Sequence, residues 1–208
     1  MGKFLFLLCL LLVPLVQASA NEADDKYQAL LKAVQANPAK ADWLALRFAY
    51  SETPGFDVSG DPGAAVRKEI YAAFDSGDYA KVLSLANKTI AADFVDLLAH
   101  RYAAAAYKHL NKMAEYNVEM TIAVGLLKSV ETGDGLDPKT PFTVISVTEE
   151  YEYLHTRGLN VTQQALVNAD GHAFDVMSTA DENGKTQDYY FLIDRVLAAE
   201  AKQLTPNP

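Results

Sequence analysis

Apolar residues recur at helical spacing through the first two thirds of the chain, and the pattern changes to strand-like alternation in the last third. Tyr27, Leu30, Leu31 and Val34 fall on one helical face, which Asn37-Pro38 brings to an end. Trp43, Leu44, Leu46, Arg47 and Tyr50 mark a second helix. Ser51 to Gly63 carries three glycines and two prolines with little periodicity and reads as a loop.

From Ala64 onward the helices come in pairs. Phe74-Asp75-Ser76-Gly77-Asp78-Tyr79 has the form of a tight turn between two helices, the second of which buries Tyr79, Val82, Leu83, Ala86 and Ile90. After Asp93 a further helix begins with Phe94, Leu97 and Leu98 and runs through the alanine-rich Tyr102–Tyr107 to Asn111. Gly77 and Asn111 are 34 residues apart, the period of a tetratricopeptide repeat, and both residue types tolerate positive φ. Ile70 stands where that repeat prefers a small residue, whereas Ala104 fits, so ordinary helix hairpins explain the pattern as well. Val118, Ile122, Leu126 and Val130 then define one more helix, closed by Gly133-Asp134-Gly135.

The C-terminal part reads differently. Phe142 to Val147 is a β-branched run and predicts a strand. Thr148 is the expected N-cap of a short helix ending at Gly158, with Glu149 and Glu150 in its first turn, where the helix dipole favours acids. Strands follow over Gln164–Asn168, Ala173–Thr179 and Asp188–Ile193, joined by Asp170-Gly171 and Asn183-Gly184 turns. Tyr189, Phe191 and Ile193 share a face, and a helix from Val196 to Leu204 closes the chain. The expected fold is α+β: tetratricopeptide-like antiparallel helix hairpins over about residues 22–133, packed on a small, mostly antiparallel sheet over about 141–208.

The N-terminus predicts export. Lys3 is its only charge, and the apolar run Phe4–Val16 leads to Ala18-Ser19-Ala20, a small-x-small signal peptidase site. At about 13 residues the run is short for a membrane span, which needs roughly 20. A cleaved signal peptide over residues 1–20 leaves one domain over 21–208, periplasmic or secreted, with no membrane span. The single cysteine, Cys9, lies inside the peptide, so disulfides, zinc–thiolate sites and thiol nucleophiles are excluded from the mature chain. A net charge of −9, which loses Lys3 on cleavage, disfavours nucleic acid and anionic lipid as partners.

No Gly-x-Ser-x-Gly elbow, phosphate-binding glycine loop or His-Glu-x-x-His is present. Glu152 and His155 have a metal-ligand spacing but lack a second such pair, and Gly133–Asp137 lacks the later ligands of a calcium loop, so neither metal nor cofactor is expected. Asp96 and His100, one helical turn apart, read as a solvated pair. The segment Thr148–Tyr153 is more promising. It joins free backbone N–H groups at a helix start to two carboxylates and two tyrosines. If the sheet brings the Gly171-His172 turn beside it, His172 would meet Glu149 or Glu150. The tentative binding residues are therefore Glu149, Glu150, Tyr151 and His172; solvated or structural strand-end polarity is the competing explanation.

Gly133-Asp134-Gly135, Phe142 to Val147 running into Glu149-Glu150-Tyr151, Gly171-His172, Asp175 and Tyr190-Phe191 together resemble an exported bacterial family catalogued as domain of unknown function 4919. The resemblance covers most of the mature chain and is most specific in its C-terminal third. It departs at Leu192, where asparagine is expected after the aromatic pair. It implies one exported domain, and no reaction, cofactor or catalytic residue. The functional expectation is a non-enzymatic module binding an envelope or secreted protein or peptide. The alternative is a small periplasmic hydrolase using a carboxylate with His or Tyr in the C-terminal part, with Glu149, Glu150, Tyr151 and His172 as its candidates.

Overall fold

The computed structural model describes residues 13–58 and 61–204. The signal peptide expected over residues 1–20, with Cys9, falls mostly outside them. Eight helices and four strands are present among the described residues. Helices α1 (Val13–Ala36) and α2 (Trp43–Glu52) are joined by a 3₁₀ turn at Pro38–Lys40. The loop expected from Ser51 is shorter than that: α2 continues to Glu52 and α3 starts at Asp61. Hairpins α3–α4 (Asp61–Asp75, Tyr79–Ala92) and α5–α6 (Leu97–His109, Met113–Val130) follow.

The two hairpin turns have the same construction. Gly77 and Asn111 sit at φ 75° and 57°. In each turn the residue after them donates a backbone bond five positions back, Asp78 to Ala73 and Lys112 to Tyr107. That is the left-handed helix stop that glycine and asparagine accommodate. Asp78 then caps α4 by accepting from the Lys81 N–H. Alanines 86, 99 and 103 are fully buried and let α4 and α5 approach closely. The hairpins are therefore present, while the tetratricopeptide assignment does not follow from them: Ile70 fills the place of the small residue and packs with Ala73, Val82, Leu98 and Ala106.

The sheet has order β1-β4-β3-β2 and is mixed. β2 (Asn160–Ala169), β3 (His172–Ala180) and β4 (Thr186–Leu192) form an antiparallel meander, and β1 (Phe142–Thr143) lies parallel to β4. The strand expected over Phe142–Val147 is thus only two residues long. The Ile145 N–H donates to the Glu149 carboxylate instead of to a neighbouring strand, and α7 (Val147–Thr156) has begun by Val147. Its N-cap is Ser146, in extended conformation and accepting from the Glu149 N–H, not Thr148. The last helix, α8, spans Asp194–Leu204.

The main core joins both halves. Phe142, Ile145, Leu154, Met177 and Phe191 from the sheet side pack with Leu46, Ala49, Leu126 and Val130 from the helices. Gly133-Asp134-Gly135 fastens the link between α6 and β1. Asp134 accepts from the Leu136 N–H and the Thr140 hydroxyl, and the Gly135 carbonyl accepts from the Tyr190 N–H of β4. Gly135 has φ +72°, and a Cβ there would lie 2.3 Å from the Phe142 ring. Only glycine satisfies both conditions.

Candidate functional site

Helix α7 starts where the two halves meet, and its first turn carries the polar chemistry. On the side facing α2, Arg47 is fully buried. Its Nε donates to Glu149 Oε1 at 2.8 Å and its Nη2 to Glu149 Oε2 at 2.5 Å. The remaining donors reach the Thr143 carbonyl at 3.0 Å and Ser129 Oγ at 3.2 Å. This is the two-pronged arginine–carboxylate geometry that makes a buried ion pair worthwhile. The solvated helix start expected for Glu149 is overturned by it.

Glu150 points the other way and is 0% exposed. Neither of its carboxylate oxygens has a hydrogen-bond partner. The charges acting on it are acids: burial first, then repulsion and carboxyl–carboxyl contact with Asp175 of β3, then repulsion from Glu149 together raise its pKa to about 9. Asp175 is itself buried, and its Oδ2 accepts from Gln164 Nε2 at 2.6 Å. Tyr151, 43% exposed, donates to the other end of the same amide, Gln164 Oε1, at 2.9 Å.

His172 does not join these residues. It stands at the β2–β3 turn with its Nδ1 2.6 Å from Asp194 Oδ2, at the start of α8. Partial burial pushes the Asp194 carboxyl up, but the Ala173 N–H and His172 more than offset this and hold it below its ordinary value. The expected meeting of His172 with Glu149 or Glu150 fails because the β4–α8 corner, not α7, lies beside that turn. The structure therefore places the four expected residues in three environments: Glu149 on Arg47, Glu150 and Tyr151 around Gln164 and Asp175, and His172 on Asp194.

A small cavity of about 60 Å³ lies on the helix-facing side of α7. Ser146, Thr148, Glu149 and Glu152 line it from α7 and its cap, Asp93 and Asp96 from the α4–α5 turn, and Asp57 and Arg67 from the segment entering α3 and from α3 itself. Burial, joined by repulsion from Asp96, pushes the Asp93 carboxyl up to about 7. Burial likewise raises Asp96, although the Ala99 N–H and Arg67 restrain it. Glu152 is raised by burial against the opposing pull of Arg101, whose Nη1 donates to it at 3.0 Å. Behind Asp93, burial followed by the Asp93 charge raises Tyr27 to about 12 and Tyr50 still higher. Asp93 also receives the Val95 N–H at 2.9 Å, and Asp96 caps α5 through the Ala99 N–H.

Asp96 and His100 are not a solvated pair. His100 is buried, with Nδ1 2.6 Å from Glu119 Oε2 and Nε2 2.9 Å from the Phe94 carbonyl oxygen, so it ties α5 to α6. Sequence reasoning located the start of α7 and named Asp175 only within the family resemblance, but missed Arg47 and Asp93. A lone cation within the apolar rhythm Trp43–Tyr50 was the available signal for Arg47; nothing local marked Asp93. Among the described residues no group of three His, Cys, Asp or Glu is arranged to hold a metal ion, and no helix is long and apolar enough to cross a membrane.

No curated protein and no solved structure matches the chain. The Gly133–Gly135 fastening, the strand running into the Glu149-Glu150-Tyr151 helix start, and the buried Asp175 and Phe191 beneath it are the features on which the sequence resemblance rested. A family model matches residues 16–202, nearly the whole chain, and the protein belongs to that family, described as domain of unknown function (DUF4919).

Proposed function

We propose that this protein is an exported, periplasmic or secreted, binding module that takes the basic tip of a protein or peptide partner into the cavity beside α7. The carrying observation is the pairing of that cavity's size with its charge. One water needs about 10–15 Å³ of such space and a metabolite site roughly 300–1,000 Å³. A volume of about 60 Å³ suits a side-chain tip or an amino terminus. Asp57, Asp93, Asp96, Glu149, Glu152 and Arg67 line it; Glu149 is paired with Arg47 and Glu152 with Arg101, so Asp93 and Asp96 carry the raised carboxyl groups that an incoming cation would meet. Carboxyl groups raised by burial and mutual repulsion gain most from an incoming ammonium or guanidinium group.

Cation binding favours ionised Asp93, so affinity should rise with pH through about 7. Titration with an acetylated, amidated lysine tripeptide, followed by calorimetry, tests this. Binding about tenfold tighter at pH 8 than at pH 6 is expected, with no binding of the glutamate tripeptide and no pH dependence in Asp93→Asn. Equal binding of both peptides, or of wild type and Asp93→Asn, would overturn the reading. The alternative, a small hydrolase, draws on the same carboxyl: a group titrating near neutrality beside Tyr50 suits a general acid or base. Turnover of peptide or ester substrates by wild type and not by Asp93→Asn would favour it.

A further inference from the structure

Two carboxyl groups face each other inside the protein where α7 packs on the sheet, and no cation answers them. Glu150 is fully buried with both oxygens unbonded, and Asp175 is buried across from it. An ionised carboxylate in such a place costs several kcal/mol and normally brings an arginine, a lysine or a set of N–H donors with it. Arg47 is close by but already committed to Glu149, Thr143 and Ser129. Gln164 gives its amide N–H to Asp175 Oδ2, so the sheet side supplies Asp175 with one donor and Glu150 with none.

A proton removes the conflict. Placed on Glu150, it converts one oxygen into a donor, supplies Asp175 with a second hydrogen bond, and leaves one negative charge where two cannot coexist. We propose that Glu150 and Asp175 share a single proton in the folded protein, and that its loss to solvent forces α7 away from the sheet. The groups facing Glu150 agree in direction. Asp175 from β3 and Glu149 from its own helix both oppose its ionisation, as does burial, while Tyr151 at the next position and Gln164 from β2 carry no charge at neutral pH. Arg47, beside the start of α7, neutralises Glu149. The hydrogen-bond path Tyr151–Gln164–Asp175 leads from the surface to the pair. Any loosening of α7 would also disturb the cavity that Ser146, Thr148, Glu149 and Glu152 line.

The sign of the pH dependence follows from the raised carboxyl. Glu150 binds a proton more tightly in the folded than in the unfolded chain, so its contribution is complete below about 4.5 and is lost as pH rises to about 9. Infrared spectra of the full chain at pH 7 should show the carbonyl band of a protonated buried carboxylic acid. Glu150→Gln should remove the part of it that persists above pH 8, leaving the part that Asp93 contributes near pH 7, and thermal melting between pH 5 and pH 9 should fall less steeply in that variant than in wild type. Asp175→Asn removes the repulsion but not the burial, so the band should persist and titrate away at lower pH. Wild type without such a band at pH 7 would overturn the proposal whether or not the variants fold. A band unaffected by Glu150→Gln, or one whose titration Asp175→Asn leaves unmoved, would do the same.

Discussion

Glu149 and Glu150 are adjacent, identical in chemistry and in the same helical turn, yet the two sides of α7 treat them oppositely. Toward α2, Glu149 meets a buried guanidinium that fills both its oxygens, and it still has capacity for the Ile145 N–H. Toward the sheet, Glu150 meets another acid and no donor. The helix-facing side is held by opposite charges; the sheet-facing side is held by apolar packing around a carboxyl pair that must stay protonated. Neighbours in sequence at a helix start point about 100° apart, so one turn can serve two unlike interfaces. The difference teaches that acidity at a helix N-terminus is a weak guide to exposure, because the dipole that favours the charge is only one of the fields acting on it.

Breaking the helix-facing side should have the largest effect. Arg47→Met leaves Glu149 without its cation in a site where the arginine side chain is 1% and the glutamate side chain 11% exposed. A loss of about 3–5 kcal/mol in urea unfolding at neutral pH is expected. A loss below about 1 kcal/mol would show that the pair is energetically like a surface one. On the sheet-facing side, Gln164→Leu removes the donor to Asp175 and should cost about 1–3 kcal/mol, since a buried acceptor is left unpaired. That cost should grow with pH as the shared proton is lost, whereas the Arg47→Met cost should not grow in this way. Tyr151→Phe should be the mildest, about 0.5 kcal/mol or less, because its hydroxyl is exposed and Gln164 can turn to water. A larger loss would mean that the path to the acid pair is rigid from its surface end inward.

Much of the fold was legible because its punctuation is local. Asn37-Pro38, Gly77, Asn111, Gly158 and the Asn183-Gly184 turn each stop or reverse the chain through their own backbone preferences, and they do so in the structure. The strand expected over Phe142–Val147 failed for a reason that β-branched composition does not show: the Glu149 side chain, four residues on, reaches back to Ile145 and takes the N–H that a strand would have used. The site was legible only as a place. Arg47 and Glu149 are 102 residues apart in sequence, and His172 finds Asp194 across 22. Pairings over such distances are fixed by how β3, β4 and α8 stack, which alternation of apolar residues leaves open. The α+β class survived these errors because the periodicities that define it are summed over whole elements, whereas a site depends on single contacts.

The fastening of Gly135 to β4 has a consequence at the far side of the sheet. The Tyr190 N–H is taken by Gly135 and β1 pairs with Phe191 and Leu192, so the C-terminal part of the β4 margin is already occupied. The opposite margin is β2, whose ten residues Asn160–Ala169 include no charge and no proline, the usual guards of an exposed strand. Leu166 on it is 60% exposed. The uncharged β2 margin is therefore where a further strand would add to the sheet.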